Sequence, residues 1–196
     1  MLIYLANLTA IVEQRLDSLK SVLSPGENWR YQSFLRTERA TQFLVGRYLL
    51  RQLLASHLGV APQEVPLIER HNNAPLLDFP NTEQLGFSIS HSKSWVACGF
   101  RSDAKIGVDI EWIDTQRDVV ALAEHSLTAE QNASLIALAP HQQHQFFYQH
   151  WTAQEAQIKL GVAQLDTCQI THSQLAIAVC SNKIFHQAPK LIHIAI

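Results

Sequence analysis

Residues 106–111 read Ile-Gly-Val-Asp-Ile-Glu, an alternation of period two. In an extended segment that period puts Ile106, Val108 and Ile110 on one face and Asp109 and Glu111 on the other. A strand with an apolar side and an acidic side therefore lies near the middle of the chain. Two carboxylates held side by side repel unless a proton or a cation joins them, and their hard oxygens suit Mg²⁺. Alone, an Asp-x-Glu pair equally describes an ordinary solvent-facing strand.

Working outward, Phe87-Ser88-Ile89-Ser90-His91 alternates in the same way, and Trp95 to Phe100 is a further strand joined to residues 106–113 by the polar turn Arg101 to Lys105. These three segments read as a meander. Val65-Pro66-Leu67-Ile68 reads as another strand and His71-Asn72-Asn73-Ala74-Pro75 as a turn. Before them, Ile11, Val12, Leu16, Leu19 and Leu23 recur at helical spacing over about Thr9–Leu23, until Ser24-Pro25-Gly26 breaks the pattern. One long helix is expected from about Trp29 to Leu58, with Gly59 as its stop. After the acidic strand, Thr128 opens one helix and about Gln142 to Leu160 forms another, stopped by Gly161. Thr167 to Ile196 is β-like again, most strongly over Leu175–Val179. Each half thus reads as helices plus a small sheet, an α+β chain that allows an internal duplication.

A chain of 196 residues with 47% hydrophobic and 16% charged side chains fits one compact unit or two small ones. The net charge of −2 lacks the basic surplus on which non-specific nucleic-acid binding draws. The average hides an asymmetry. Residues 1–105 carry 11 basic and 9 acidic groups, net +2, and residues 106–196 carry 4 and 8, net −4. Arg30, Arg36, Arg39, Arg47 and Arg51 face only Glu38 within their stretch, mostly off the apolar stripe, which would draw an anionic ligand. No apolar run approaches the roughly 18 to 20 residues that span a bilayer, and the first residues lack a basic leader, so a cytoplasmic protein that binds neither membrane nor nucleic acid is expected. Cys98, Cys168 and Cys180 show no Cys-x-x-Cys spacing.

Two further constellations carry chemistry. Trp151, Glu155 and Lys159 are four apart and share one helical stripe, a spacing that also describes a plain ion pair worth about 0.3 to 0.5 kcal/mol. Ser88, Ser90, His91 and Ser92 end a strand without the Gly-x-Ser-x-Gly elbow of a serine hydrolase, so a phosphate-binding strand end is the easier construction. His141, His144 and His150 lack the further ligands of a tetrahedral metal site and read as surface histidines.

In order and spacing, Phe-Ser-Ile-Ser-His-Ser (87–92), Ile-Gly-Val-Asp-Ile-Glu (106–111) and Trp-Thr-Ala-Gln-Glu-Ala-Gln-Ile-Lys (151–159) resemble the signature set of the 4′-phosphopantetheinyl transferases, single-chain class. Phe34 through Arg51 resembles that family's N-terminal helix. The resemblance implies a pseudo-dimer of two similar helix-plus-small-sheet halves, residues 1–105 and 106–196, with the active site in the cleft between them. It implies transfer of 4′-phosphopantetheine from coenzyme A to a serine of an apo acyl or peptidyl carrier protein, releasing adenosine 3′,5′-bisphosphate, by a chain able to work as a monomer.

Carried over residue by residue, the resemblance makes Asp109, Glu111 and Glu155 Mg²⁺ ligands. Glu155 is the base, directly or through a water, and Lys159 stabilises or protonates the departing phosphate. Ser90 and His91 are implied to hold coenzyme A phosphates, with Arg36, Arg39 and Arg47 as candidates for the 3′-phosphate. The chain departs from the family pattern at Ala74 and Gln154, where lysines are usual, which removes two cationic contacts and implies weaker coenzyme binding. A non-catalytic coenzyme A or carrier-binding module and a metal-dependent phosphodiesterase are the alternatives on the same residues.

Overall fold

The computed structural model describes residues 1–9, 11–70 and 73–196; His71 and Asn72 of the expected turn lie outside them. The elements run β1 (Leu2–Asn7), α1 (Glu13–Lys20), α2 (Pro25–Gln32), α3 (Thr37–Leu58), β2 (Leu67–Ile68), β3 (Leu76–Leu77), β4 (Gly86–Ser92), β5 (Trp95–Arg101), β6 (Ile106–Trp112), α4 (Val119–Ser126), α5 (Ala129–Ala137), α6 (Pro140–Leu160), β7 (Asp166–Ile170), β8 (Leu175–Ser181) and β9 (Lys190–His193).

The order repeats. A strand, three helices and a hairpin, β1-α1-α2-α3-β4-β5, are followed by β6-α4-α5-α6-β7-β8, the short β2–β3 pair being inserted in the first copy. The sheets repeat too: β4-β5-β1 in one and β7-β8-β6 in the other, antiparallel throughout, with the first strand of each copy next to its last. Both long helices end on a glycine in the left-handed region, Gly59 (φ 70°) and Gly161 (φ 68°), which a side chain would strain. The chain is an α+β pseudo-dimer, as the family resemblance implied and the repeated helix-then-sheet pattern allowed. β9 ties the copies together by pairing in parallel with β1.

Apolar burial fixes both copies on one seam. Leu44, Leu49, Leu50, Leu53 and Leu54 of α3 are buried against Val96, Cys98 and Phe100 of β5. Each such leucine contributes about 1.5–3 kcal/mol. A second cluster draws Ile3, Leu5, Trp95 and Ala97 from the first copy and Ile106, Val108, Ile110, Ile177 and Val179 from the second. The alternation read at 106–110 is therefore the apolar side of the interface between the copies.

Two expectations need correction. Trp29–Leu58 is not one helix: α2 ends at Gln32 and α3 starts at Thr37. The break allows Glu27 of α2 to meet Arg51 of α3 at 2.6 Å. In an unbroken helix these residues would stand about 36 Å apart along the axis. Nor does the meander continue past β5. β4 and β5 pair, whereas β6 joins β8 and β7 in another sheet. β1 and α4 have no counterpart in the sequence reading, whereas β9 falls within the β-like stretch read over Thr167 to Ile196. No helix among the described residues is long and apolar enough to cross a membrane.

Candidate active site

β4 has two chemically distinct faces at the seam. Ser88, Ser90 and Ser92 turn toward β6, where their Oγ atoms accept the N–H groups of Val108, Ile110 and Trp112 at 2.9, 3.2 and 3.0 Å. Phe87, Ile89 and His91 alternate with them and line a cavity of about 740 Å³. Across the seam, Ser90 Oγ donates to Asp109 Oδ1 at 2.8 Å and Ser92 Oγ donates to Glu111 Oε2 at 2.7 Å. The two acids share a face, as the period-two reading requires, and that face meets protein, not solvent: Asp109 is 4% exposed.

Helix α6 closes the site because β6 carries a glycine beneath it. A Cβ at Gly107 would meet Ala156 O at 1.9 Å, so only glycine lets the helix lie this close. The approach brings Lys159 Nζ to 2.7 Å from Asp109 Oδ1 and 2.9 Å from Ser90 Oγ. Trp151 lies beside Glu111, the two lining one pocket of about 350 Å³ with Leu122, Phe147 and Tyr148. With Trp151 at Glu111 and Lys159 at Asp109, Glu155 occupies the middle of the same helical stripe.

The carboxylates are short of positive charge. Burial raises the Glu111 carboxyl above the usual glutamate range; Asp109's charge adds to that shift while the Ser92 hydroxyl opposes it. Asp109 Oδ2 is buried and has no hydrogen-bond partner among the described residues. An orphaned carboxylate oxygen beside a second acid suits a hard divalent cation, so Asp109 and Glu111 fit Mg²⁺ by donor chemistry. The described residues contain no ready-made cluster of three His, Cys, Asp or Glu side chains able to hold a metal ion. Glu155 is thus on the right stripe without completing such a cluster.

The cavity lies beside this cluster, where Lys159 lines it, and extends into the first copy. Arg30, Arg39, Arg47, Arg70 and Lys159 line it, together with Phe34, Phe43, Ala74 and Pro75. Arg39 Nη1 contacts the His91 ring, 2.9 Å from Nδ1, and Gln42 Oε1 at 2.7 Å. Crowding by protein, with Arg39 and then Lys159 nearby, pushes the His91 imidazole down to about 4, so it is neutral near pH 7.

The basic face of the long helix is less free than its sequence implies, because distant acids fold onto it. Glu69 binds Arg30 at 2.7 Å and Arg47 at 2.8 Å, and Glu27 lies 3.5 Å from Arg47. Arg51, expected on the solvent or ligand side, is 1% exposed and bonds Glu27 and the carbonyls of Pro62 and Val65. Arg47 stacks on Phe43 at 4.7 Å and lines the cavity with its charge already matched. Arg36, an exposed residue at the N-cap of α3, is not among the lining residues. Arg39 is the candidate that the geometry brings to the cavity with His91. Ser90, grouped with His91 for phosphate, turns its hydroxyl to Asp109 on the opposite face of the strand.

Sequence reading missed the acids Glu27 and Glu69 and the doubled role of Ser92. Serines at every second position from 88 to 92 were the visible signal for the last of these. His144 and His150 make backbone contacts, to Arg117 O and Phe146 O. Gln154, at one position where the family's usual lysine is lacking, donates to Gln131 Oε1 at 3.4 Å.

Fold and site together define a tandem-repeat α+β protein whose paired acids and arginine-lined cavity lie at one seam. The chain belongs to the 4′-phosphopantetheinyl transferase superfamily, single-chain type. Residues 105–191 match the family model described as 4′-phosphopantetheinyl transferase superfamily, and residues 11–101 match that of 4′-phosphopantetheinyl transferase, N-terminal. Among its relatives, 4′-phosphopantetheinyl transferase HetI of Nostoc sp. is 30% identical over 162 residues, 81% of this chain and 68% of that protein. The transferase Sfp of Bacillus subtilis is 26% identical over 147 residues, 75% of this chain and 63% of that one. AcpT of Escherichia coli is 30% identical over 138 residues, 68% of this chain and 69% of AcpT. The chain therefore spans about two thirds of the length of these relatives.

Proposed function

We propose that this chain transfers 4′-phosphopantetheine from coenzyme A to a serine hydroxyl of an apo acyl or peptidyl carrier protein, with Mg²⁺, releasing adenosine 3′,5′-bisphosphate. The observation that carries the reading is the double contact of Lys159. It lines the cavity that holds Arg39 and His91, and it bonds Asp109 in the acidic cluster. A pyrophosphate bound in that cavity would meet Lys159, one hydrogen bond away from the Asp109 carboxylate.

Asp109 and Glu111, with Glu155 from the facing helix, would hold Mg²⁺, which supplies charge stabilisation for a pyrophosphate diester. The chain's own residues do the rest. Arg39 and His91 orient the anionic end of the coenzyme from the cavity side. Glu155 accepts the carrier serine's proton, directly or through a water, as its oxygen bonds to the β-phosphorus. The bond from that phosphorus to the bridging oxygen breaks, and the nucleotide leaves with the electron pair. Lys159 offers the departing phosphate a positive hydrogen-bond donor. The pocket formed by Leu122, Phe147, Tyr148 and Trp151 beside Glu111 offers an apolar wall on the far side of the acids. Because one chain supplies both lobes of the cleft, a monomer suffices.

The test is the mass of an apo carrier after incubation with this protein, coenzyme A and Mg²⁺. A gain of one phosphopantetheine is expected, lost in Asp109→Ala, whose fold circular dichroism should show intact. An unmodified carrier at saturating coenzyme A, or full turnover by Asp109→Ala, contradicts the reading.

A further inference from the structure

β4 and β6 lie against each other yet share no backbone ladder, since each belongs to a different sheet. Serine hydroxyls take the ladder's place. Residue 88 serves the N–H of 108, residue 90 that of 110 and residue 92 that of 112, a constant offset along the seam. Each hydroxyl thereby satisfies an amide that the interface shields from water. A hydroxyl can accept and donate at once, so each serine has its own hydrogen left to place.

That hydrogen goes to a different partner at each step. Ser88 reaches the Val108 carbonyl at 3.4 Å, a long contact. Ser90 donates to Asp109 Oδ1 at 2.8 Å, an oxygen that Lys159 also engages. Ser92 donates to Glu111 Oε2 at 2.7 Å, a short charge-assisted bond. Glu111 has no salt-bridge partner among the described residues; its carboxylate is held by two donors, the Ser92 hydroxyl at 2.7 Å and the side chain of Trp151 from the facing helix.

We propose that Ser92 is a positioning residue for the carboxylate site: it receives the Trp112 N–H and, through its own O–H on Oε2, holds Glu111 in the orientation a divalent cation beside Asp109 requires. The proposal rests on the transferase reading, which puts Mg²⁺ at these acids. Ser92 acts through Glu111 and touches neither the coenzyme nor the reacting atoms. Ser88 is the internal control, because it serves an amide in the same way and holds no carboxylate.

The experiment measures Mn²⁺ binding to the full chain with coenzyme A by electron paramagnetic resonance, alongside hydrogen exchange at the Val108 and Trp112 amides. Removing a group that orients a metal ligand costs about 10- to 100-fold in metal affinity. Ser92→Ala should weaken Mn²⁺ binding by about tenfold or more, leave the KM for coenzyme A unchanged and speed exchange at Trp112. Ser92→Thr, which keeps the hydroxyl, should restore the affinity. Ser88→Ala should speed exchange at Val108 and leave Mn²⁺ affinity as it was. If Ser92→Ala unfolds, Ser92→Cys carries the same test, since a thiol is a weak donor. Unchanged Mn²⁺ affinity in Ser92→Ala (or in Ser92→Cys where that variant takes its place), or equal losses in Ser88→Ala and Ser92→Ala, overturns the proposal. A wild-type protein that binds no Mn²⁺ is the separate signature of a failed metal reading, and overturns both.

Discussion

Replacing Gly107 by alanine puts a methyl group where the backbone of α6 passes over β6. The added Cβ would stand 1.9 Å from Ala156 O and 2.5 Å from Leu160 N, whereas real Cβ contacts stay beyond 3.0 Å. Both obstacles are backbone atoms and cannot rotate away, so the helix must withdraw by roughly 1 Å or more. Lys159 precedes Leu160 and Asp109 lies two residues past Gly107, so the withdrawal opens the 2.7 Å contact between them. A misplacement of about 1 Å in a catalytic constellation costs about 10²-fold in rate. Overpacking a core costs about 1–3 kcal/mol, and at this chain length each kcal/mol lowers the melting temperature by about 2–4 °C. The alanine variant should therefore melt about 2–12 °C lower and modify an apo carrier about a hundred times more slowly. Calorimetry and initial rates read by carrier mass check the two figures independently. An alanine variant with wild-type turnover would refute the claim that the approach of α6 to β6 builds the site.

Other consequences follow from the same contacts. Glu27→Ala leaves Arg51 buried without its carboxylate, a loss of about 3–5 kcal/mol in urea unfolding; a change within error would mean that the pair does not hold α2 on α3. In ¹⁵N spectra His91 should stay neutral down to about pH 4, where a free histidine titrates near 6.5. Below 6.5 the folded chain then binds fewer protons than the unfolded chain, so His91 makes acid progressively destabilising between about 6.5 and about 4. Saturating coenzyme A should shift that titration upward, and an unmoved titration would place the phosphates elsewhere. Arg39→Ala should raise the KM for coenzyme A about 10- to 100-fold, the worth of a charge-assisted bond, with kcat little changed. An equal KM increase for coenzyme lacking its 3′-phosphate would show that Arg39 does not read that group.

The parts legible in the sequence were those governed by local periodicity and punctuation. Gly59 and Gly161 marked the ends of both long helices because a left-handed residue is a local requirement. Thr128 was a cap for the same reason, and it forms a capping box with Gln131. The shared face of Asp109 and Glu111 followed from the pleat alone. What stayed hidden depends on residues far apart in the chain. Arg51 looked free because its partner Glu27 comes from another helix, and the break before Thr37 that unites them leaves little trace in apolar spacing. β6 looked like the third strand of a meander because alternation fixes which face a residue takes, not which neighbour its backbone bonds. Ser90 and His91, which the family resemblance pairs at the coenzyme's phosphates, turn to opposite faces of β4, since adjacent strand residues alternate. β1 was missed because only its pairing with β5 and β9 makes Leu2–Asn7 a strand.

The most direct test counts both products of one reaction: phosphopantetheine bound to an apo carrier and adenosine 3′,5′-bisphosphate released, measured together with coenzyme A and Mg²⁺ present. A transferase working across this seam yields the two in equal amounts and yields neither when the carrier is omitted. Nucleotide released without carrier modification, or coenzyme A bound with no product at all, would contradict it.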